Sequence, residues 1–279
     1  MDIDLLKTFL EVNRTRHFSR AAENLYVTSA AVSARIKLLE KQLGIEVFAR
    51  NRGNIQLTGE GERLLPYAET MINTWTQTLQ DLRLQPELDG RIHIGATSNL
   101  WMPALEAKLL ELCDKFPALA IHAEGHTSIG LSRRLSNRTL DMVLIHDPPS
   151  SSELHSEKVG DIKLVLASNR GVSKFNNAMT DGYIYIDWGT AFSGFHARKF
   201  GEDSPAKLHV NLASIAFGIL ASRDGSAYLP SSTVESTSWL EPIAGAPTFR
   251  RGIYLSYRDG NENVEIIKAL SAQIKGLSM

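Results

Sequence analysis

The length, composition and charge of the chain exclude several classes of protein. It has 279 residues, of which 43% are hydrophobic and 22% are charged, and its formal net charge is −1. These values suit a globular protein of one large or two ordinary domains and argue against disorder as the main state. No apolar run could span a bilayer, the first ten residues lack the layout of a signal peptide, and the single cysteine, Cys113, cannot form an intramolecular disulfide. We therefore expect a cytoplasmic protein.

The first fifth of the chain is basic although the whole chain is not. Between Arg14 and Arg52, eight arginines and lysines stand against three glutamates, which gives this stretch a local charge of +5. A basic surface on a nearly neutral protein is typical of a DNA-binding module attached to another domain. A solvated helical face would show the same excess of charge, so this alternative stays open.

Three short helices and a hairpin are predicted within the first 58 residues. The first helix covers 4–13, the second begins at a cap formed by Ser19, and the third runs from a cap at Thr28 or Ser29 to about Leu43, where Gly44 ends it. Residues 46–57 contain two strand-like runs around a turn rich in Asn and Gly. This order predicts a helix-turn-helix followed by a small wing.

The third helix has an outer face of small and polar residues. When it is projected at 100° per residue, Val32, Ile36 and Leu39 share one face and the small residues lie opposite them. Small side chains allow a helix to approach base edges in the major groove, and arginines in a wing suit phosphates or a minor groove. The alternative is an ordinary surface helix. The candidate DNA contacts are Thr28, Ser29, Ala30, Ser33, Ala34, Lys37, Arg50 and Arg52.

A long amphipathic helix is predicted over 59–84, with Thr58 as its cap and Pro66 inside it. Apolar residues recur along it every three or four positions from Leu64 to Leu82. Such a stripe needs a partner, and a homodimer is the economical one, so a DNA site should be an imperfect palindrome. Residues 85–90 contain Pro and Gly without periodicity and are expected to form a hinge.

From Arg91 onward the pattern changes to alternating strands and helices. This alternation predicts an α/β sheet with ligands bound at the carboxyl ends of its strands. The expected strands are 91–96, 119–124, 141–145, 163–168, 183–186, 208–210, 227–229 and 252–257. The expected helices are 100–116, 128–138, one from about 191, 212–222 and one from about 262.

Polar side chains follow several of these strands and form a candidate binding site for a small effector. Free backbone donors and hydroxyl groups at the starts of helices suit a carboxylate or another small anion. The alternative is that the hydroxyl residues only cap helices and that Trp188 only packs. The candidate effector contacts are Thr97, Ser98, Asn99, Thr127, Ser128, His146, Trp188 and Thr190.

Residues 18–65 resemble the LysR-type transcriptional regulators. The resemblance lies in an ordered series of segments: FSRAAENLY at 18–26, VTSAAVS at 27–33, RIKLLE at 35–40, LG at 43–44, VFAR at 47–50, LT at 57–58 and GE at 61–62. RTRHF at 14–18 and LLPYAET at 64–70 make the first seventy residues most similar to a member that represses a flagellar operon. The resemblance thus implies a transcriptional repressor or activator, with motility genes as candidate targets.

The resemblance also implies a domain organisation. An all-α winged helix-turn-helix domain (1–58), a dimerisation helix (59–84) and a hinge (85–90) would precede an effector-binding domain (91–279) like a type-II periplasmic binding protein. Its α/β subdomains would comprise about 91–160 with 251–279, and about 161–250, with the effector between them. The family usually forms dimers of dimers. Where it commonly has Gln-Pro, this chain has Ser29-Ala30, which removes an amide that could read adenine or a phosphate.

Signals for catalysis are weak in this sequence. There is no glycine-rich phosphate loop, and the segment around Ser193 lacks the spacing of a nucleophile elbow. His122 and His126 are expected on a strand and its following turn, where their spacing does not converge on a metal. We therefore expect no enzyme activity, no cofactor and no metal. Two alternatives remain, a DNA-binding regulator without a ligand and an α/β enzyme.

Overall fold

The computed structural model describes residues 2–51, 54–82, 88, 90–171, 178–179, 182–201, 206–261 and 263–278. The chain separates into two compact units, Met1–Gln85 and Pro86–Met279. Within the described residues, no helix combines the length and the apolar character that a membrane span requires.

The N-terminal unit is a winged helix-turn-helix followed by a long helix. Its core is formed by the buried faces of the first and third helices, with Phe9, Ile36 and Leu39 at most 2% exposed, and by Phe48 of the hairpin. The elements are α1 (Ile3–Thr15), α2 (Phe18–Asn24), α3 (Ser29–Leu43), the antiparallel strands β1 (Phe48–Asn51) and β2 (Asn54–Leu57), and α4 (Gly59–Asp81).

The ends of α3 follow the sequence signals, whereas the start of α2 does not. The Thr28 hydroxyl accepts a hydrogen bond from the Ala31 amide at 3.1 Å, and Gly44 ends the helix with φ +70°. The predicted cap at Ser19 is wrong, because α2 begins at Phe18 and His17 precedes it without a side-chain cap. The Phe18 ring packs against Phe48, with centroids 6.4 Å apart, and this contact draws residue 18 into the helix.

The start of α4 is fixed by Thr58 and by a close backbone approach. The Thr58 hydroxyl accepts from the Gly61 amide (3.0 Å) and donates to the Glu46 carbonyl (2.7 Å). A Cβ at position 61 would collide with the Val47 carbonyl oxygen, so glycine is required there. Farther along, Met71 and Trp75 are 42% and 44% exposed. The later part of the apolar stripe is therefore open in the single chain, whereas Ala68 is fully buried and Leu64 packs against the core of the N-terminal unit. Helix α4 ends at Asp81 rather than near 84.

The C-terminal unit is built on one mixed sheet. Its strands run in the order β4-β3-β5-β11-β6-β9-β7-β8, and β10 and β12 also pair with β6. The strands are β3 (Gly90–Thr97), β4 (Leu119–His126), β5 (Met142–Ile145), β6 (Leu154–Ser168), β7 (Tyr183–Ile186), β8 (Leu208–Val210), β9 (Ser226–Pro230), β10 (Glu241–Pro242), β11 (Phe249–Arg258) and β12 (Leu277–Ser278). The α-helices are α5 (Glu106–Lys115), α6 (Ser128–Ser136), α7 (Thr190–Phe200), α8 (Ala213–Leu220), α9 (Ser231–Glu235) and α10 (Val264–Ile274).

Strand β5 is covered on both faces, as expected for a strand inside an α/β sheet. Met142 and Leu144 belong to the core that contains Leu112 of α5 and Leu270 of α10. The alternating residues, such as Val143, belong to a second core under α6. Because successive side chains of a strand point to opposite faces, a continuous apolar run here reports two layers of helices.

Two long antiparallel strands, β6 and β11, form the middle of the sheet. Their register runs from Phe249 opposite Leu164 to Arg258 opposite Leu154, with a shift between Ile253 and Tyr254. The sequence predicted only 163–168 and 252–257, because the first half of β6 is polar and partly exposed. The register shift falls near the expected subdomain limits at 160/161 and 250/251, which remain predictions.

The single helix predicted over 100–116 is interrupted. Residues Ser98–Leu100 form a 3₁₀ turn, Met102 has extended angles (φ −87°, ψ 143°), and α5 begins only at Glu106. Pro103 follows Met102, and a residue before proline avoids the α conformation. The interruption of the helix is therefore explained by the proline that follows Met102 in the sequence.

Candidate nucleic-acid interface and ligand cleft

The outer face of α3 is open and lined by small or polar side chains. Thr28, Ser29 and Ala30 are exposed at its start, Ala34 and Lys37 are exposed one and two turns later, and Ser33 is half-buried. The opposite face is anchored in the core, where Val32 and Leu39 have no exposed surface. A helix held along one face and open along the other can enter a groove of duplex DNA as a rigid element.

The wing carries the other two candidate DNA contacts. Arg50 belongs to β1 and pairs with Ile55 of β2, whereas Arg52 lies outside the described residues. The exposed Arg16, at the end of α1, donates from Nη1 to the Ile55 carbonyl oxygen at 3.4 Å. The hairpin is thereby tied to the first helix.

A cleft of about 500 Å³ lies at the carboxyl ends of strands in the C-terminal unit. It is lined by all eight residues that the sequence proposed as effector contacts: Thr97, Ser98, Asn99, Thr127, Ser128, His146, Trp188 and Thr190. The first six follow β3, β4 and β5, and the last two follow β7. The cleft also exposes Asp147, Asp187 and Arg251, which sequence reasoning missed.

The hydroxyl groups in the cleft differ in whether they already have a partner. The Thr127 hydroxyl caps α6 by accepting from the Gly130 amide at 3.2 Å. The Thr97 hydroxyl is buried and has no hydrogen-bond partner among the described residues. Since an unpaired buried hydroxyl is costly, Thr97 keeps an unused hydrogen-bonding group at the cleft.

Asn99 connects the two sides of the cleft. Its Nδ2 donates to the carbonyl oxygens of Asp187 (3.2 Å) and Asn211 (3.1 Å), and its Oδ1 accepts from the Ala213 amide (2.9 Å) at the start of α8. One side chain after β3 thus makes three hydrogen bonds to segments that follow β7 and β8. Its amide holds the cleft together, and contact with an effector stays a prediction for this residue.

Trp188 is also engaged with the protein. It is 6% exposed, and its Nε1 donates to the Tyr228 carbonyl oxygen at 3.1 Å. Gly189 follows with φ +91° as the N-cap residue of α7, so Thr190 is the first residue of that helix. The large ring therefore forms a fixed wall of the cleft next to a helix start.

His146 is held as a neutral hydrogen-bonding group. Its Nδ1 lies 2.9 Å from the Gly252 carbonyl oxygen and therefore carries the proton of that bond. Burial, reinforced by the charge of Arg251, lowers the pKa of the His146 imidazole, although the bond to Gly252 acts in the opposite direction. With Nδ1 donating, Nε2 is left as an acceptor.

Arg251 places a positive charge in the cleft. Its side chain is only 14% exposed and forms an ion pair with Asp147, whose side chain is 69% exposed. The residue belongs to β11, which the sequence predicted to begin at 252, three residues too late. The paired arginines Arg250 and Arg251, inside the strand, were the available signal.

His122 and His126 lie close to one carboxylate, and His126 ends strand β4 rather than standing in the turn after it, where the sequence placed it. Both lie on β4, with Nε2 atoms 3.7 and 3.4 Å from the same oxygen of Glu124, and Arg134 binds the other oxygen at 3.0 Å. Among the described residues, no group of three or more His, Cys, Asp or Glu side chains could hold a metal ion.

A winged helix-turn-helix joined to an α/β unit with a cleft defines a class of bacterial regulators, and comparisons with known proteins agree. Residues 3–62 match the bacterial regulatory helix-turn-helix proteins of the lysR family, and residues 85–277 match the LysR substrate binding domain. The chain belongs to the LysR family and is a DNA-binding transcriptional regulator.

The chain is similar to named regulators over nearly its whole length. It is 34% identical to the HTH-type transcriptional regulator HdfR of Salmonella schwarzengrund over 270 residues, which cover 96% of each protein. The identity to HdfR of Escherichia coli is also 34%, over 97% of this chain and 96% of that one. Among solved structures, CbnR, a LysR family transcriptional regulator, has a TM-score of 0.71 at 16% identity and 98% coverage of both chains.

The bonds of Asn99 generate a prediction about the stability of the C-terminal unit. Asn99→Ala removes three hydrogen bonds and should lower the free energy of unfolding of that unit by about 2 kcal/mol. The measurement is urea denaturation followed by tryptophan fluorescence, because three of the four tryptophans lie in this unit. Ser98→Ala, one residue earlier in the same cleft, is the control and should change the free energy by less than about 0.5 kcal/mol. Equal midpoints for Asn99→Ala and wild type would contradict the bridging role.

Proposed function

We propose that the protein binds duplex DNA through the outer face of α3 and the wing, and that a small molecule in the cleft adjusts this binding. The observation that carries the proposal is the contrast between the two faces of α3, one buried and one open with small side chains. We place this activity in the cytoplasm, where the DNA of a bacterium lies, and assign no enzyme activity to the cleft. Since HdfR is the named relative, motility genes are our candidate targets and repression is the candidate outcome.

The DNA interface makes a first prediction. Lys37 is exposed on the outer face of α3, and its ammonium should neutralise about one phosphate. Lys37→Ala should weaken binding to all duplexes and reduce the slope of log affinity against log salt by about one. Fluorescence anisotropy between about 50 and 200 mM salt measures the slope on the DNA upstream of the protein's own gene. Lys41→Ala, at the other end of the same helix, is the comparison variant. An unchanged slope for Lys37→Ala would show that Lys37 is not part of the DNA interface.

Self-association through α4 is the second part of the proposal. Tyr67, Met71, Trp75 and Leu82 fall within one 80° sector of the helix and are 42–79% exposed. An apolar face of this kind on an exposed helix is best covered by its copy in a second chain, as in other helical dimers. A dimer, or a pair of dimers, would present two copies of α3 to the two half-sites of an imperfect palindrome.

This arrangement predicts the effect of a charge on the open face. Met71→Glu should give a monomer or an insoluble chain, because a dimer would bury the carboxylate without a partner. Thr76→Glu places the same charge on the opposite side of α4, where Thr76 is exposed, and should leave the dimer intact. Sedimentation at micromolar concentration distinguishes the species. A wild-type chain that sediments as a folded monomer would refute the proposed dimer.

The third part of the proposal is a polar or anionic effector in the cleft. Arg251 supplies a charge, Thr97 an unpaired hydroxyl and His146 an acceptor, while the starts of α6 and α7 supply backbone donors. A ligand can regulate only if it binds one arrangement of the chain more tightly than another. A differential of about 1–3 kcal/mol would change operator affinity by roughly fivefold or more.

The ligand proposal predicts a thermal shift. A panel of small carboxylates and phosphates should contain a compound that raises the melting temperature of the full chain. At a ligand concentration of a hundred times its Kd, binding should increase the free energy of unfolding by about 2.7 kcal/mol. Ser98→Trp fills the cleft and should abolish the shift, while Ser222→Trp, exposed and outside the lining, should not. If no compound acts and Ser98→Trp leaves regulation intact in cells, the protein is a DNA-binding regulator without a ligand.

A further inference from the structure

Tyr26 is an aromatic residue in an unusual position. It lies in the turn between α2 and α3, two residues before the Thr28 cap, and its side chain is 95% exposed. Its backbone has φ +54°, a left-handed conformation that residues with a Cβ seldom adopt. Neither the local conformation nor burial accounts for a tyrosine here.

The turn around Tyr26 is a helix-ending motif that favours glycine. The Tyr26 amide donates to the Glu23 carbonyl at 3.2 Å, and the Val27 amide donates to the Ala22 carbonyl at 3.0 Å. These two bonds define a Schellman motif with Tyr26 at its left-handed position, where glycine is the usual residue because it carries no Cβ. Val27 then packs against the core of the N-terminal unit. The motif therefore stabilises the turn without using the tyrosine ring.

The location of Tyr26 points to DNA. Two residues of chain span at most about 7 Å, so Tyr26 lies beside Thr28 at the start of α3. Thr28, Ser29 and Ala30 are all exposed there, and together they form the open surface that we assign to the major groove. A phenol hydroxyl is one of the groups by which proteins bind DNA phosphates, and such contacts fix the position of a recognition helix.

We propose that the Tyr26 hydroxyl donates a hydrogen bond to a DNA phosphate at the edge of the groove that α3 enters, which rests on the proposed DNA interface. The contact orients the start of α3 relative to the duplex. Because tyrosine is neutral, the bond releases no extra counterion, and it acts on every sequence alike. It therefore differs measurably from the contact proposed for Lys37.

Two substitutions separate this contact from folding. Tyr26→Phe removes only the hydroxyl and should weaken binding by roughly tenfold or more, as expected for one hydrogen bond to a charged group. Tyr26→Gly should weaken binding at least as much, while its urea midpoint stays equal or rises because glycine relieves the left-handed strain. The loss should be the same on the upstream duplex and on a scrambled duplex of equal length, with the salt slope unchanged. Tyr254→Phe, a half-buried tyrosine on β11 that lies outside the cleft lining, should bind within about twofold of wild type.

The results have distinct meanings. If Tyr26→Phe binds like wild type while Lys37→Ala is weakened, the phosphate contact is refuted and the DNA interface stands. If both variants bind like wild type, the interface itself falls. A loss in Tyr26→Phe that appears only on the upstream duplex, or that lowers the salt slope, also overturns a neutral phosphate contact.

Discussion

The antiparallel ladder between β6 and β11 determines the geometry of the ligand cleft. Arg251 and the Gly252 carbonyl that binds His146 are neighbours on β11, opposite Ile162 and Asp161 of β6. A residue with a Cβ at position 252 would come within 2.9 Å of the Tyr254 ring. Val159 is the extra residue of β6 at the register shift, and its carbonyl accepts a hydrogen bond from the Gly276 amide at 2.9 Å. The ladder thus supplies the positive charge of Arg251 to the cleft and orients the His146 imidazole.

Residues that line the cleft are not equally available to a ligand. The side chains of Asn99 and Trp188 already donate hydrogen bonds to backbone carbonyls of the protein, and the Thr127 hydroxyl caps a helix. The unpaired Thr97 hydroxyl and the acceptor nitrogen of His146 have no such internal role. Arg251 is partly available to a ligand, because the carboxylate of its partner Asp147 is largely exposed and can be solvated by water when the ion pair breaks. The cleft thereby combines a fixed frame with a smaller set of groups that can change partners.

Most elements whose ends depend on neighbouring residues in the chain were predicted correctly from the sequence. The cap at Thr28, the left-handed Gly44 and the strand Tyr183–Ile186 all follow from short-range rules. Prediction failed where tertiary contacts decide, as at Ser19, where the packing of Phe18 begins α2 sooner. It also failed for the first half of β6, whose polar residues are held in the sheet by β11 rather than by their own periodicity. Arg251 was missed for the same reason, since its place in the cleft depends on a partner strand.

The position of β3 has a mechanical consequence. This strand begins at Gly90, next to the segment that leads to the N-terminal unit, and ends at Thr97 in the cleft. At about 3.3 Å per residue, roughly 23 Å separate its two ends. A small molecule bound in the cleft is therefore too far from the segment before Gly90 to contact it directly. Its influence would have to pass along β3 and through the residues bonded across the cleft, such as Asn99, which follows the far end of the strand.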